Sequence, residues 1–401
     1  MYNRGRTESM NTKPEGTLKQ MPKGVLVLGF VSLFMDISSE MIHSLLPMFM
    51  VTTLGASVFT VGLIDGLAES TALVVKVFSG VLSDYFGKRK GLTVLGYSLA
   101  AATKPLFALA SGMGLVLVAR LLDRIGKGIR GAPRDAMMTD ITPPDLRGAA
   151  FGLRQSLDTV GAFAGPLIGT GLMLLFLNDF RKVFWFAVLP AIISVSLLLF
   201  GFREQVAPQV TRRANPISKA NLRRLSTPYW WVVGIGAAFT LARFSEAFLV
   251  LRAQQSGVPI ALVPMVMVLM NIIYAGSAYP FGKLSDKMSH AKLLALGLVV
   301  LLFADFLLAI NGGWATVLAG VALWGVHLGV TQGLLATMVA ATAPEDLRGT
   351  AFGLFNLACG AALLLGSAFA GLLWDVFGAS ITYYTGAFLC VAALLVLAKR
   401  P

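Results

Sequence analysis

Charged residues are scarce in this sequence, and cysteine and histidine are scarcer still. Of 401 residues only 13% are charged, and the chain holds two cysteines and three histidines. A soluble protein of this length needs more polar residues to cover its surface, so an ordinary soluble domain is excluded. Cys359 and Cys390 lie far apart inside apolar runs, and the histidines are scattered. The sequence therefore predicts no disulfide framework, no metal site and no bound cofactor.

Apolar residues make up 56% of the chain and fall into long runs. A helix needs about 20 apolar residues to cross a bilayer, and a backbone in lipid must satisfy its own hydrogen bonds. The 42 glycines suit helices that approach one another closely in a membrane. The runs predict an all-α membrane protein with twelve transmembrane helices. These are expected near residues 24–50, 57–82, 91–111, 114–138, 148–176, 183–202, 229–251, 259–281, 292–311, 315–339, 349–373 and 380–398.

Basic residues in the loops orient the chain. Residues 1–22 are polar and basic and do not resemble a cleavable signal peptide. With the N-terminus inside, the inner loops collect most of the Lys and Arg residues, whereas the outer loops hold little beyond Arg181, Lys182 and Arg252. This asymmetry predicts a multi-pass protein of the inner or plasma membrane with both termini in the cytoplasm. It also accounts for the net charge of +13 without nucleic acid, because such loops lie beside anionic lipid of the bilayer.

The sequence repeats itself at about half its length. Residues 145–153 (DLRGAAFGL) recur at 346–354 (DLRGTAFGL), an offset of 201 (346 − 145), and the pattern at 80–84 recurs at 282–286. Duplicated six-helix halves are how several secondary transporters build alternating access around a central site. We expect a cytoplasmic N-terminal tail and two pseudo-symmetric six-helix bundles joined by a polar cytoplasmic linker. The expected bounds are 1–22, 23–202, 203–228 and 229–401.

Three motifs carry a resemblance to a known family. Residues 80–90 (GVLSDYFGKRK) resemble the signature loop of the major facilitator superfamily. Residues 120–128 (RLLDRIGKG) resemble a second motif of that family, although Arg124 stands where a glycine is usual. Residues 161–169 (GAFAGPLIG) resemble a motif of its antiporter branches. The resemblance implies a transporter of twelve helices rather than an enzyme, and it slightly favours export by antiport.

The loop signature and the glycine motif are expected to act in gating. Asp84 with Lys88 and Arg89 could form a charge latch at the inner end, or the cluster could only fix orientation. The glycines of 161–169 repeat at i, i+4 and i+8, which suits bending at a gate and ordinary helix packing equally well. The predicted gating residues are Gly80, Asp84, Gly87, Lys88, Arg89, Gly161, Gly165, Pro166 and Gly169.

Charged residues inside the predicted spans are the main functional signal. Each costs at least a few kcal/mol if it faces lipid unpaired, so it should face the bundle interior or a cavity. Several form i, i+4 pairs on one helix face. Counting residues along each span predicts that Glu40, Glu69, Arg124 and Asp158 lie at a similar depth near the midplane. The predicted pathway for substrate and protons comprises Asp36, Glu40, Asp65, Glu69, Arg120, Asp123, Arg124, Lys127, Arg154, Asp158, Arg243, Glu246, Asn271 and His327.

The second half lacks most of these charges. The positions that correspond to Asp123 and Arg124 hold Trp324 and Gly325. Charges that served only the common fold should occur in both halves, although a purely structural network remains the alternative. Carboxylates near a dry cavity can carry protons, and Arg124 with its basic neighbours can hold an anionic group. On the opposite wall the tenth span could contribute His327, Trp324 and Gln332, although a lone histidine in a span is more often packed.

The sequence thus predicts a proton-coupled secondary active transporter that moves a small hydrophilic solute, anionic or zwitterionic, by alternating access. Export by antiport is slightly favoured, while a proton symporter that imports an organic anion and a multidrug exporter stay open. The functional unit is expected to be a monomer. A membrane enzyme or a non-transporting sensor fits the topology, but the repeat and the loop signature favour neither. The chain contains no G-x-x-x-x-G-K-[ST] loop, so ATP is not expected to drive it.

Overall fold

The computed structural model describes residues 21–86, 89–203, 224–285, 288–344 and 347–398, without the side chains of 80–86 and 285. Twelve helical segments fill most of these ranges, and none of the described residues is in a strand. In chain order the helices are α1 (Lys23–Thr53), α2 (Val58–Phe86), α3 (Arg89–Leu109), α4 (Met113–Ile141), α5 (Arg147–Leu175), α6 (Phe180–Gly201), α7 (Thr227–Gln255), α8 (Met265–Ser285), α9 (His290–Ala309), α10 (Gly313–Thr342), α11 (Arg348–Phe377) and α12 (Ala379–Ala398).

Eleven of the described helices are long and apolar enough to cross a membrane. The remaining one, α4, has 29 residues but carries Arg120, Asp123, Arg124 and Lys127 in its middle, which lowers its hydropathy. The prediction of an all-α membrane protein with twelve spanning helices is therefore confirmed. Large apolar side chains such as Leu175 and Phe388 lie exposed on the outer surface, as a protein surrounded by lipid requires.

The helix ends define two ends of the molecule. We call the end that leads into residues 204–223 the linker end, and the opposite end the far end. The first six helices precede the linker and the last six follow it, and short connections such as 54–57 and 110–112 return the chain from one end to the other. On the predicted topology the linker end is the cytoplasmic one.

Glycines allow α1 and α5 to pack closely. A Cβ atom on Gly161 would lie 2.9 Å from the carbonyl oxygen of Leu33, and one on Gly165 would lie 2.8 Å from that of Ile37. Such distances leave no room for any side chain at either position. Gly161 and Gly165 therefore have a packing role in the α1–α5 contact, whereas a Cβ atom on Gly169 would find its nearest neighbour at an ordinary 3.7 Å.

Helix α7 is broken, although a continuous span over 229–251 was predicted. Its helical parts are Thr227–Ala242 and Ala247–Gln255, and residues 243–246 are not helical. Side chains satisfy the backbone here: the N–H of Ser245 donates to Oγ of Ser367 at 3.1 Å, and the N–H of Ala247 donates to Oγ of Ser245 at 3.1 Å. A backbone without helical hydrogen bonds is tolerated in a membrane protein where such partners or a cavity are available.

The two halves meet mainly through α2 and α11. At the far end the carboxylate of Asp375 accepts from the N–H groups of Val58 (3.0 Å) and Phe59 (2.8 Å), which begin α2. Further along, Oγ of Ser70 donates to the carbonyl oxygen of Gly360 at 2.5 Å. A separate contact joins α8 to α5.

Candidate functional site

A cavity of about 350 Å³ lies between the two halves. Helices α1, α2 and α4 form one wall, and the break in α7 with parts of α8, α10 and α11 forms the other. Its polar lining is Glu40, His43, Asp65, Glu69, Arg120, Arg124, Lys127, Arg243, Ser245, Glu246 and Gln332. Most of the residues predicted for the substrate and proton pathway thus share one cavity.

Arg120 connects α4 to α2 on the first wall. Its Nη2 forms an ion pair with Asp65 and lies 3.3 Å from Oε1 of Glu69. Asp65 also accepts a hydrogen bond from Oγ of Ser245, which belongs to the break in α7. Nε and Nη1 of Arg120 are buried without a hydrogen-bond partner among the described residues. This group of four side chains therefore joins the two halves at the level of the cavity.

Arg124 lies one turn along α4. Its Nη1 is 3.2 Å from Oε1 of Glu69, and its Nη2 is 2.7 Å from Nδ1 and 3.1 Å from Nε2 of His43. The ring of His43 also faces Oδ2 of Asp123 at 3.4 Å and Oε1 of Glu40 at 3.7 Å. The predicted pairing of carboxylates with guanidinium groups is thus present, with a histidine at its centre.

Lys104 on α3 completes this network and was missed by the sequence argument. It is fully buried, and its Nζ donates to Oδ1 of Asp123 at 2.8 Å and to Oγ of Ser39 at 2.9 Å. His43 was set aside because the histidines are scattered. The available signals were a lysine within an apolar span and a histidine three residues from Glu40.

Three charged residues left without an ion pair face the cavity. Lys127 projects from α4, while Arg243 and Glu246 flank the break in α7. Among the described residues, none forms an ion pair with any of these three side chains. The cavity therefore presents cations from both halves to any solute that enters, together with the carboxylate of Glu246 and that of Glu40, which has the ring of His43 beside it at 3.7 Å.

Some of the predicted pathway residues lie nearer the linker end. Nη1 of Arg154 is 2.5 Å from Oδ2 of Asp158, and its Nε is 3.8 Å from Oδ1 of Asp135. Nη2 of Arg130 is 4.0 Å from Oδ1 of Asp36, and its guanidinium lies 4.6 Å from the centre of the Tyr97 ring. We call this second group the linker-side cluster.

The observed depth of Asp158, in the linker-side cluster, differs from the predicted one. Gly165 is the residue of α5 that packs on Glu40, and Asp158 lies seven residues, about two turns, towards the linker end. Asp158 is therefore not level with the cavity, in contrast to Glu69 and Arg124. Counting along each span misjudged its depth because it ignored where the helices cross.

Asn271 and His327 do not line the cavity. Nδ2 of Asn271 donates to the carbonyl oxygen of Ala162 at 3.3 Å, which joins α8 to α5 across the two halves. Nδ1 of His327 lies 2.8 Å from the carbonyl oxygen of Gly297, and its ring stacks on Phe239. His327 is thus a packed histidine inside the second half, and Gln332 is the residue of α10 that reaches the cavity.

The predicted gating loop is described only in part. Arg89 forms an ion pair with Asp140 at the linker end. Gly80 and Asp84 lie within α2, and the side chain of Asp84 is not among those described. Gly87 and Lys88 lie outside the described residues. Pro166 and Gly169 are buried in α5.

A model of the Major Facilitator Superfamily matches residues 28–362 and 247–401. The chain belongs to the Major Facilitator Superfamily. It is therefore a membrane transporter of small solutes and not an enzyme.

Relatives within the superfamily match over most of the chain. An uncharacterised MFS-type transporter of Methanocaldococcus jannaschii is 33% identical over 391 residues, which is 94% of this chain and 95% of that one. The multidrug resistance protein MdtH of Photorhabdus laumondii is 25% identical over 359 residues, 88% of this chain and 84% of that one. The crystal structure of the nucleoside transporter NupG has a TM-score of 0.78 at 12% identity and covers 93% of this chain and 98% of its own. That structural likeness supports the superfamily fold alone.

Proposed function

We propose that this protein is a proton-coupled secondary active transporter for a small hydrophilic solute that carries an anionic group. The observation that supports this proposal is the pair of unmatched cations, Lys127 and Arg243, that face one cavity from opposite halves. A carboxylate, phosphate or sulfonate between them would gain charge-assisted hydrogen bonds that neither cation has at present. Glu246 beside them would accept the ammonium of a zwitterion.

The cavity volume agrees with a small solute. About 350 Å³ is at the lower end of the range of roughly 300–1,000 Å³ that holds small ligands. Several charges of the wall already pair with each other, so a lipophilic solute that displaced water from them would leave those charges dehydrated. A hydrophilic solute replaces the water without that cost.

Alternating access would move the two six-helix bundles, 23–202 and 229–401, about the central cavity. The contacts that join them include hydrogen bonds, such as the bond from Ser245 to Asp65 and that from Ser70 to Gly360. Such bonds can be replaced by hydrogen bonds to water when one end opens, so they stabilise one conformation and still allow the protein to leave it. The linker 203–228 would only connect the bundles.

Protons are the proposed coupling ions, and the carboxylates of the cavity wall, Glu40 and Glu69, are the first candidates to carry them. We place the transporter in the inner or plasma membrane as a monomer with both termini in the cytoplasm. The basic inner loops support this placement. So does a relative named inner membrane transport protein YajR of Escherichia coli, 24% identical over 354 residues, which are 85% of this chain and 75% of that one.

Multidrug export is the second candidate function. It is supported by the similarity to the multidrug resistance protein MdtH and by the resemblance of residues 161–169 to the antiporter motif. The cavity also has an apolar side, formed in part by Met50, Phe244 and Met267. A lipophilic cation would bind there and use Glu246 as its counter-charge.

A melting experiment separates the two candidates. The purified protein would be heated in detergent with methanesulfonate as an organic anion, glycine betaine as a zwitterion or tetraphenylphosphonium as a lipophilic cation. A ligand at about 100 times its Kd stabilises the protein by about 2.7 kcal/mol. We expect the anion or the zwitterion to raise the melting temperature, and we expect Arg243→Gln to lose the effect. Lys182→Gln, which changes an exposed lysine outside the cavity, should keep it.

Stabilisation by tetraphenylphosphonium alone, retained in Arg243→Gln, would replace the proposal by multidrug export. Transport itself is measured in proteoliposomes with the stabilising solute. Solute flux that persists unchanged when an uncoupler dissipates the proton gradient would contradict proton coupling.

A further inference from the structure

The imidazole of His43 lies between groups of opposite charge. Its Nδ1 is 3.7 Å from Oε1 of Glu40, and its Nε2 is 3.4 Å from Oδ2 of Asp123, so each ring nitrogen has a carboxylate beside it. Nη2 of Arg124 contacts both ring nitrogens, at 2.7 and 3.1 Å. The ring is thus held by two carboxylates and one guanidinium.

These neighbours have opposite effects on the protonation of the ring to an imidazolium. The two carboxylates stabilise an imidazolium, whereas a guanidinium in contact with the ring places two cations side by side. The side chain of His43 is only 9% exposed, so water screens these interactions weakly. While Arg124 keeps its position, the ring cannot become a cation without strong repulsion.

We propose that His43 is a proton-binding site and that the position of Arg124 controls it. The ring is neutral while Arg124 lies against it and takes up one proton when Arg124 moves away. The proton is delivered by hydronium in the cavity, which His43 lines: an O–H bond breaks, water is left, and an N–H bond forms on the ring nitrogen that lacks one. Glu69, 3.2 Å from Nη1, keeps the guanidinium paired as it leaves the ring.

The other charged groups on this side of the ring have partners that hold them in place. Arg120, one turn from Arg124, is a further cation, and its ion pairs with Asp65 and Glu69 anchor it to α2. Lys104 donates to Oδ1 of Asp123 and leaves Oδ2 to face His43. Arg124 is itself paired with Glu69 and lies 3.7 Å from Asp123. Among the described cations of this group it is the one in hydrogen-bond contact with the ring, so its movement changes the charge there most directly.

The control of His43 by Arg124 determines whether the solute and the proton move in the same direction. This conclusion rests on the proposed function. An anionic solute held between Lys127 and Arg243 lies in the cavity that Arg124 also lines, and its charge draws the guanidinium away from His43, so the solute and a proton bind together. Two species that bind together cross the membrane together, which is symport. The cavity charges thus favour import of an organic anion with a proton over the antiport that the motif at 161–169 suggests.

Nuclear magnetic resonance of ring-¹⁵N histidine reads the protonation of His43 directly. The chain has three histidines, so His43→Gln assigns the signal. Arg124→Gln should raise the pH at which His43 is half protonated by about 1 to 3 units, because the opposing cation is gone. Glu40→Gln should lower it, because a supporting carboxylate is gone. Lys127→Gln, one turn further along α4 and not in contact with the ring, is the matched control and should change it less.

A midpoint that neither Arg124→Gln nor Glu40→Gln moves, or that Lys127→Gln moves as far as Arg124→Gln, would overturn the proposal. These titrations need no solute, so they stand whether or not the proposed substrate class is right. The symport relation is tested by methanesulfonate, whose charge is constant between pH 6 and 8. Its stabilisation of the wild type should be larger at pH 6, and in His43→Gln it should not depend on pH. Equal stabilisation of the wild type at both values would contradict symport, and no stabilisation would contradict only the proposed substrate class.

Discussion

Replacing Lys104 by methionine should strongly destabilise this protein, because it removes one half of a buried ion pair. Lys104 is fully buried, Asp123 is 2% exposed, and Nζ lies 2.8 Å from Oδ1. Removing one partner of such a pair costs about 3–5 kcal/mol, since the other charge stays buried. Arg124 at 3.7 Å compensates part of the charge of Asp123. We therefore expect the lower end, about 3 kcal/mol.

A double-mutant cycle isolates the pair. Lys104→Met, Asp123→Asn and the double variant would be unfolded by denaturant in mixed micelles to obtain the free energy of unfolding. Each single change should cost about 3 kcal/mol, and the double change should cost less than either, because it leaves no unpaired charge. The exposed pair of Lys182 and Asp179, at 3.3 Å, is the control, and Lys182→Met should cost less than about 1 kcal/mol.

Two results would refute this reasoning. The first is a cost for Lys104→Met as small as that of Lys182→Met, which would mean that the lysine is neutral or hydrated where it lies. The second is a double variant whose cost equals the sum of the two single costs, which would mean that Lys104 and Asp123 do not interact.

Three further changes test the packing and the contacts between the halves. Gly165→Ala should destabilise by about 1–3 kcal/mol because its Cβ would lie 2.8 Å from the carbonyl oxygen of Ile37, whereas Gly171→Ala, with open space around it, should leave the melting temperature unchanged. Asp375→Asn should weaken the far-end contact with α2 by about 0.5–2 kcal/mol, and spin-label distances across the far end should then broaden; unchanged distances would contradict this role. Ser245→Ala should cost about 1.5–3 kcal/mol by removing a donor to the Asp65 carboxylate, and a loss below 0.5 kcal/mol in unfolding would show that water replaces it.

Much of the fold could be predicted from the sequence because the membrane leaves few choices. Apolar runs of sufficient length must be helices there, and the repeat of 145–153 at 346–354 indicates how the helices group. Helix α4 is the exception among the apolar runs, since its charged middle lowers its hydropathy and it was nevertheless predicted at 114–138. The break in α7 could not be predicted, because it depends on Ser367 of another helix accepting the N–H of Ser245.

The candidate site was predictable only in part, for a related reason. Spacing at i, i+4 shows which charges share a helix face, so Arg120 and Arg124 were found together. It does not show which neighbouring helix that face meets. Lys104 becomes part of the network only because α3 packs against α4 near Asp123, and His43 only because α1 does so. Asp158 lies on the expected face of α5 but outside the cavity.

Three of the polar contacts of helix α11, at residues 360, 367 and 375, restrict how the molecule can move. Gly360 and Asp375 hold α2 at two points about 22 Å apart, and Ser367 between them holds the break in α7. Sliding of α2 along α11 by one turn would break both outer contacts at once, whereas a small rotation about their common axis changes each of them only slightly. The contacts of helix α11 therefore fix the position of the two halves along the helix axis. A tilt of one half against the other is the motion that they permit.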